Sequence, residues 1–514
     1  MRCLVAHTEP SVPRKPISGN LKYLIIETVA AKPHLETAGE IALARLEEGY
    51  EVVFAFLGRD LPWIDCDLPS WLKWVGCSMD KRVVQFERII ADRGVAVRSV
   101  PALPDHVQKS CRVYADQFSG GLDELRQYRY ANVPLGLGCA SSLISWSQDN
   151  QFDPAAYRQT TRAALLAAAL TYERAIFLIR TEKPDSVVTF NGRFATCRPI
   201  VEAAATEGVP LLRHERGATN TKYDLFKESV HSYDYIRNRI EIAWQKADPT
   251  EREKDGHEYF VRRRNGDDFG WYSVVNRQKR GKIRPWTLGK IKILYFSSND
   301  DEFAAVSDTI APGYWGTQFK ALTSLIRVCE GIDHVELFVR LHPYLTTKSW
   351  AERDRWHTLC GKNVITIPEE TDIDTYAQLE SADVVVSYGS TIGIEATYWC
   401  KPSILMGPAQ YAGTGVCMEP QSIAELSQLL RNAKELVASP RARCLPYGNY
   451  HLNRGTLFRF YKPESKFEGT FLGDRLSLYS FPIEALRRYG GARRYREIRE
   501  KVEERLYAHL KNFQ

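Results

Sequence analysis

Short apolar runs alternate with longer stretches of helical period along most of the chain. Residues 21–26 read as a strand, 36–48 as an amphipathic helix and 51–56 as the next strand. Residues 154–182 have the period of one long helix, 186–190 form an apolar run, 195–207 return to helical period and 209–213 to a strand. The alternation lapses over 247–290, which is polar and basic (Arg262-Arg263-Arg264, Lys279-Arg280, Lys282, Arg284) and reads as a connection or surface excursion. It restarts with strands at 292–296, 335–339, 364–367, 384–386 and 403–405, with helices between them. Continuous apolar strands separated by helices predict parallel sheets covered on both faces. The expected fold is α/β: two Rossmann-like domains facing a cleft, followed by C-terminal helices. The expected divisions are 1–246, a basic connection at 247–290, a second domain at 291–460 and a helical tail at 461–514.

Composition is consistent with this plan. A chain of 514 residues that is 44% hydrophobic and 26% charged can bury more than one core. The net charge of +6 suits a protein that handles phosphates or meets an anionic membrane, without requiring either. The 11 cysteines are scattered with no Cys-x-x-Cys pair, which points to reduced thiols and neither a disulfide framework nor a zinc site. Residues 1–20 lack the apolar core of a signal peptide, and no run approaches the roughly 18 apolar residues of a membrane span. The expected location is the cytoplasm, with any membrane contact peripheral and at the inner face.

In open parallel sheets, ligands bind beyond the carboxyl ends of the strands, so chemistry is sought in the loops there. The strand at 335–339 runs into Arg340-Leu341-His342-Pro343. Arg340 offers a fork of donors for a phosphate, and His342 can donate a hydrogen bond or a proton to a leaving phosphate. A structural histidine at a capped strand end is the plain alternative. The strand at 384–386 leads into Ser387-Tyr388-Gly389-Ser390-Thr391-Ile392-Gly393-Ile394-Glu395. This reads as a tight turn closed by Gly389, an N-cap at Ser390 and a helix start able to receive an anion. Glu395 is placed to accept hydrogen bonds from ribose hydroxyls, or merely to complement the helix dipole.

The run from Arg340 to Pro343, with Ser390 to Ala396 and Lys401-Pro402-Ser403-Ile404, resembles bacterial capsule and surface-polysaccharide glycosyltransferases of GT-B type, including Kdo transferase-like members. The His-Pro pair is similar to that of CMP-sugar-using sialyltransferases and polyglycerol phosphate polymerases. The resemblance implies that His342 meets the nucleotide phosphate and that Ser390 and Thr391 hold the phosphate or cytidine portion. It extends to Phe296-Ser297-Ser298-Asn299-Asp300-Asp301-Glu302-Phe303 and, in the first half, to Asn191-Gly192-Arg193-Phe194 and His214-Glu215-Arg216-Gly217. The acidic cluster at Asp300 to Glu302 could hold a divalent ion. The reading preferred here is loop capping with a nucleotide contact from Ser297 or Ser298, no metal and no cofactor beyond the nucleotide-sugar substrate. The acidic-acidic-glycine motif of the sialyltransferases has no counterpart, since Phe269 follows Asp267-Asp268, and this leaves the donor sugar open.

Inverting transfer needs a carboxylate to take the acceptor hydroxyl's proton. Glu27, Glu36 and Glu215 are the candidates, with Glu36 preferred because it opens a helix after the first strand. His34, Asn191, Arg193, His214 and Arg216 are expected to bind acceptor or donor sugar, and Glu215 could instead be tied up between His214 and Arg216. The expected partners are a nucleotide sugar and a glycan or glycolipid acceptor. The arginine-rich stretch 487–499 is either a solvated helix or a contact to an anionic membrane. No nucleic-acid motif accompanies the basic residues. Three other readings are a CDP-dependent polyol-phosphate transferase, a sugar-nucleotide epimerase and a non-catalytic partner in polysaccharide assembly.

Overall fold

The structure, a computed structural model, describes residues 21–65, 79–267, 269, 275–299, 310, 313–464 and 469–476. The first half contains β1 (Lys22–Glu27), α1 (His34–Glu47), β2 (Glu51–Phe56), α2 (Met79–Ala91), β3 (Ala96–Arg98), α3 (Asp105–Gln117), α4 (Leu122–Gln127), α5 (Leu135–Ser147), α6 (Arg158–Glu182), β4 (Ser186–Phe190), α7 (Arg198–Thr206), β5 (Leu211–Arg216) and β6 (Lys222–Phe226). Then come α8 (Tyr233–Lys246) and α9 (Pro249–Arg264). The second half contains β7 (Ile291–Phe296), α10 (Gln318–Glu330), β8 (Val335–Arg340), α11 (Trp350–His357), β9 (Val364–Ile367), α12 (Thr375–Ser381), β10 (Val384–Ser387), α13 (Ile392–Tyr398), β11 (Ser403–Leu405), α14 (Ile423–Arg431) and α15 (Leu445–Asn453). The chain ends its described course with β12 (Thr456–Leu457), β13 (Tyr461–Pro463) and β14 (Gly469–Phe471).

The sheets have the order β12-β6-β5-β4-β1-β2-β3 and β11-β10-β7-β8-β9. The second is parallel throughout, and in the first only β6 and β12 run antiparallel to their neighbours. This is the plan of two Rossmann-like domains read from the alternation. In each sheet the first strand is central, and the chain winds to one side and then to the other. The strand order therefore reverses between β1 and β4, and between β7 and β10. Crevices open at the carboxyl ends of such pairs because the flanking loops diverge to opposite faces. Leu24, Ile25 and Ile26 of β1, like Val384, Val385 and Val386 of β10, are fully buried, as strands covered on both faces must be.

Two stretches differ from the sequence reading. Residues 209–213 were expected to end a strand, but β5 continues to Arg216, so His214, Glu215 and Arg216 are strand residues paired with β6. The polar stretch 247–290 contains the 16-residue helix α9. Asp248 caps it by accepting the N–H groups of Thr250 and Glu251, and Pro249 occupies its first turn. Gly256, Tyr259 and Phe260 form one narrow apolar face. The Phe260 ring stacks on Tyr398 with centroids 4.1 Å apart, and a side chain on Gly256 would meet the Leu445 carbonyl of α15. The charged majority on the other faces hid this stripe.

The chain then returns to its start. β12 pairs with β6, and Glu40 of α1 accepts backbone N–H groups from Arg459, Phe460 and Tyr461 at 2.7, 2.7 and 3.0 Å. The first domain is thus built from both ends of the described chain, which a linear division at 246, 290 and 460 does not express.

Candidate functional site

The β7/β10 crevice is held shut at its base by Ser298. Its hydroxyl donates to the Tyr388 carbonyl at 2.8 Å, and its N–H donates to Oε1 of the buried Gln318 at 2.6 Å. Ser297 accepts the backbone N–H of His342 at 2.8 Å through its hydroxyl. The three strand-end loops expected to carry the nucleotide are therefore bonded to one another. Ser297, Ser298, Asn299, His342, Leu345, Lys348, Glu352 and Trp356 line a small pocket there.

His342 Nδ1 accepts the N–H of Tyr344 at 3.1 Å. In the neutral ring this leaves the proton on Nε2. Burial, with Lys348 and Arg340 nearby, lowers the pKa to about 4, so the ring is an uncharged donor at neutral pH. Arg340 is itself buried, with Nη1 finding no partner among the described residues, and burial brings its pKa down to about 10.

The Ser390 turn forms much as expected. Gly389 has φ +70°, and the Ile392 N–H reaches the Ser390 hydroxyl at 3.4 Å, although the cap position itself falls on Thr391. Glu395 departs from its expected role. It is 2% exposed, Arg263 of α9 donates to its Oε1 at 3.1 Å, and the Tyr376 hydroxyl donates to its Oε2. Arg263 also donates to Thr391 Oγ1 at 3.4 Å, and the Glu395 carboxylate holds its guanidinium pKa above the ordinary value. Glu395 thus braces the turn from inside, where a ribose does not reach.

A second carboxylate, Glu369, is enclosed as well, at 4% exposed. Glu369 follows β9, whose Ile367 carbonyl accepts the Leu341 N–H beside His342. Arg353 and His357 hold Glu369 Oε1, while Oε2 has no partner among the described residues. Sequence reading missed both Glu369 and Arg263: a Glu after a short strand has no fixed signature, and Arg263 was one of several basic residues.

At the β1/β4 crevice the three candidate bases separate. Glu27 and His214 are fully buried, with His214 Nε2 and Glu27 Oε1 2.6 Å apart, and burial pushes the Glu27 carboxyl up. Glu36 is 1% exposed and bonded to the buried Arg82, which also donates to the carbonyls of Ala30 and Leu476. The expectation that Glu36 faces the cleft as base is corrected here, since the first turn of α1 points into the core. His214 is likewise enclosed, away from any sugar.

Glu215 alone of the three keeps partial exposure. Asn191 Nδ2 donates to it at 2.7 Å and the Arg216 N–H at 2.9 Å. Burial pushes its carboxyl up, while the Asn191 bond, the Arg216 N–H and the Arg216 charge pull it down, and the balance lies below the usual range. His34 packs on Phe190 with centroids 3.8 Å apart, and burial lowers its pKa to about 3, leaving it neutral. Arg193 lies over the Phe194 ring at 4.4 Å, and its Nη2 reaches Ser145 at 3.5 Å.

Ser145 joins the two crevices. It lies in the last turn of α5, and Gln148 caps that helix with φ +56°. Gln148 accepts Lys348 Nζ at 3.3 Å through its side chain and the Ser349 N–H at 3.2 Å through its carbonyl. From Arg193 in the first half to Lys348 in the second, the path runs from Ser145 to Gln148 along one helix end, three residue steps and about 5 Å.

Some expectations fall outside the described residues: Asp300 to Phe303, Asp268, the start of the chain at 1–20 and the arginine-rich segment at 487–499. Among the described residues, no group of three or more His, Cys, Asp or Glu could hold a metal ion, and no helix is long and apolar enough to cross a membrane.

No family model matches the chain, and neither does any curated protein. Among solved structures, the chain is similar to the β-Kdo 2,4 transferase of Thermosulfurimonas dismutans KpsC at 14% identity, over 52% of this chain and 80% of that one, with a TM-score of 0.36. The β-Kdo 2,7 transferase of the same protein matches at 17% identity over 50% and 79%, TM-score 0.32. A putative UDP-N-acetylglucosamine 2-epimerase from Listeria monocytogenes matches at 11% identity over 86% and 93%, TM-score 0.27. The roles given to individual residues rest on the geometry above.

Proposed function

We propose that this protein is a glycosyltransferase that moves a sugar from a nucleotide donor, CMP-linked and Kdo-like, to a surface-polysaccharide or glycolipid acceptor, with inversion and without a metal. The observation that carries this reading is that the end of α5 touches a residue beside each crevice, Arg193 through Ser145 and Lys348 through Gln148. On one side a neutral imidazole and Lys348 offer donors suited to a phosphate, in a pocket whose wall is the Ser297-Ser298 loop. On the other an ionised carboxylate and a neutral histidine stand at the adjoining crevice. Transfer needs both kinds of site within one bond's reach of the sugar.

In this reading His342 donates from Nε2 to the phosphate, and Ser298 and the Ser390-Thr391 turn shape its cradle. Glu215 takes the acceptor hydroxyl's proton while the nucleotide leaves from the opposite face, with His34, Asn191, Arg193 and Arg216 around the sugars. The acceptor is polymeric or lipid-linked, and the arginine-rich segment 487–499 docks on an anionic cytoplasmic membrane surface.

The direct test incubates the protein with CMP-linked sugars and a glycolipid acceptor and follows CMP release and product together. Glu215→Gln is expected to stop transfer while nucleotide still binds. Full turnover by that variant would remove Glu215 as the base, and no turnover of any nucleotide sugar by the native protein would remove the transferase reading.

A further inference from the structure

Lys348 stands where two structural features cross. It lies among the residues lining the His342 pocket, is 7% exposed, and is near enough to the ring to depress its pKa. Its ammonium also donates across the junction to Gln148 Oε1 at 3.3 Å. Around that bond the halves grip one another. Ser349 donates to the Gln148 carbonyl at 3.2 Å through its N–H and to Asp149 Oδ2 at 3.2 Å through its hydroxyl. Arg355 donates to Asp149 Oδ1 at 2.8 Å, and Asn150 Nδ2 reaches Glu352 at 3.5 Å. Glu352, the one acid among the described residues lining the pocket, has both oxygens engaged, by Trp356 and Asn150 on one and by Arg355 on the other. Among its described residues the pocket thus presents donors from His342 and Lys348 with its acid already satisfied, an environment suited to an anion.

Resting on the nucleotide-site reading above, we infer that Lys348 is a second ligand of the donor phosphate and that, through Gln148, it ties donor occupancy to the grip between the two halves. A phosphate drawn to His342 Nε2 fixes the Lys348 ammonium, and a fixed ammonium holds Gln148 at the helix end that also carries Ser145, the partner of Arg193. The acceptor side is thereby set when the donor arrives. Neither ligand then needs to touch Gln148 for the coupling to operate.

The test uses CMP as probe, calorimetry for affinity and hydrogen exchange at the Ser349 amide for the grip. In the native protein CMP is expected to bind and to slow exchange at Ser349. Lys348→Met is expected to lose about tenfold or more in affinity, the worth of one charged hydrogen bond, and to show no added protection even when saturated. Gln148→Ala is expected to bind CMP as the native protein does while losing the protection, which separates the link from the ligand. Native-like binding by Lys348→Met, or full protection in Gln148→Ala, would overturn the inference and leave the nucleotide site standing. Failure of the native protein to bind CMP would overturn both.

Discussion

The N–H of Tyr344 donates to His342 Nδ1 at 3.1 Å, and this one bond decides what the histidine can do. It leaves the proton on Nε2, and burial keeps the ring uncharged. His342 therefore meets its ligand as a hydrogen-bond donor. His342→Ala is expected to weaken nucleotide binding by about tenfold or more, and His342→Gln, which keeps a donor at similar reach, to recover part of it. Calorimetric titration of the two variants checks this, and equal losses would contradict it.

Acid should loosen the fold through the same groups. His342 and His34 have pKa values lowered by burial to about 4 and about 3, against 6.5 for a free ring. Between those values the unfolded chain binds protons that the folded one refuses, so stability rises with pH. The contribution is complete above the unfolded value and is lost as pH falls toward the folded ones. Melting temperatures are expected to drop as the protein is acidified from neutrality, and less steeply in a His34→Asn, His342→Asn double variant. An unchanged slope would argue against the buried neutral rings.

Glu36 and Glu215 should behave oppositely. Glu36 shares a fully buried pair with Arg82, so Glu36→Gln leaves a guanidinium without its counter-charge and is expected to cost about 3–5 kcal/mol of stability. Glu215→Gln is expected to melt near the native temperature and to fail in transfer. Denaturant unfolding beside a turnover assay separates the two. A stable, inactive Glu36→Gln would restore Glu36 as the base.

Glu369 and Glu395 are both enclosed and both bonded within the protein. Loss of a hydrogen bond to an ionised carboxylate is worth about 1.5–3 kcal/mol. Glu395→Gln is therefore expected to lower the melting temperature through its bonds to Arg263 and Tyr376, and Glu369→Gln through its bonds to Arg353 and His357, with CMP affinity kept in both. Loss of CMP binding at native stability in either variant would return that carboxylate to the ribose.

These contrasts mark how far the sequence could be read. Strands such as β1 and β10 are legible because burial on both faces gives them continuous apolar runs, Leu24-Ile25-Ile26 and Val384-Val385-Val386, and Gly389 because the turn needs a positive φ. The strand-end rule led to His342, Ser298 and Asn191 without any knowledge of contacts. It could not say which way a side chain at a helix start points. Glu36 and His34 are two residues apart on α1, yet one enters the core and the other lies against Phe190. Partners distant in the chain were also hidden. Arg82 for Glu36, Arg263 for Glu395 and Gln148 for Lys348 lie 46, 132 and 200 residues from them, and only the fold brings them together.

The central claim is a nucleotide-phosphate site at His342, and nucleotide-induced stabilisation measures it most directly. A ligand that binds only the folded state raises its melting temperature with concentration. With CMP, CDP, UDP and GDP compared on the native protein and on His342→Ala, CMP or CDP is expected to give the largest rise, and the variant to lose most of it. No rise with any of the four, or an equal rise in the variant, would contradict the site.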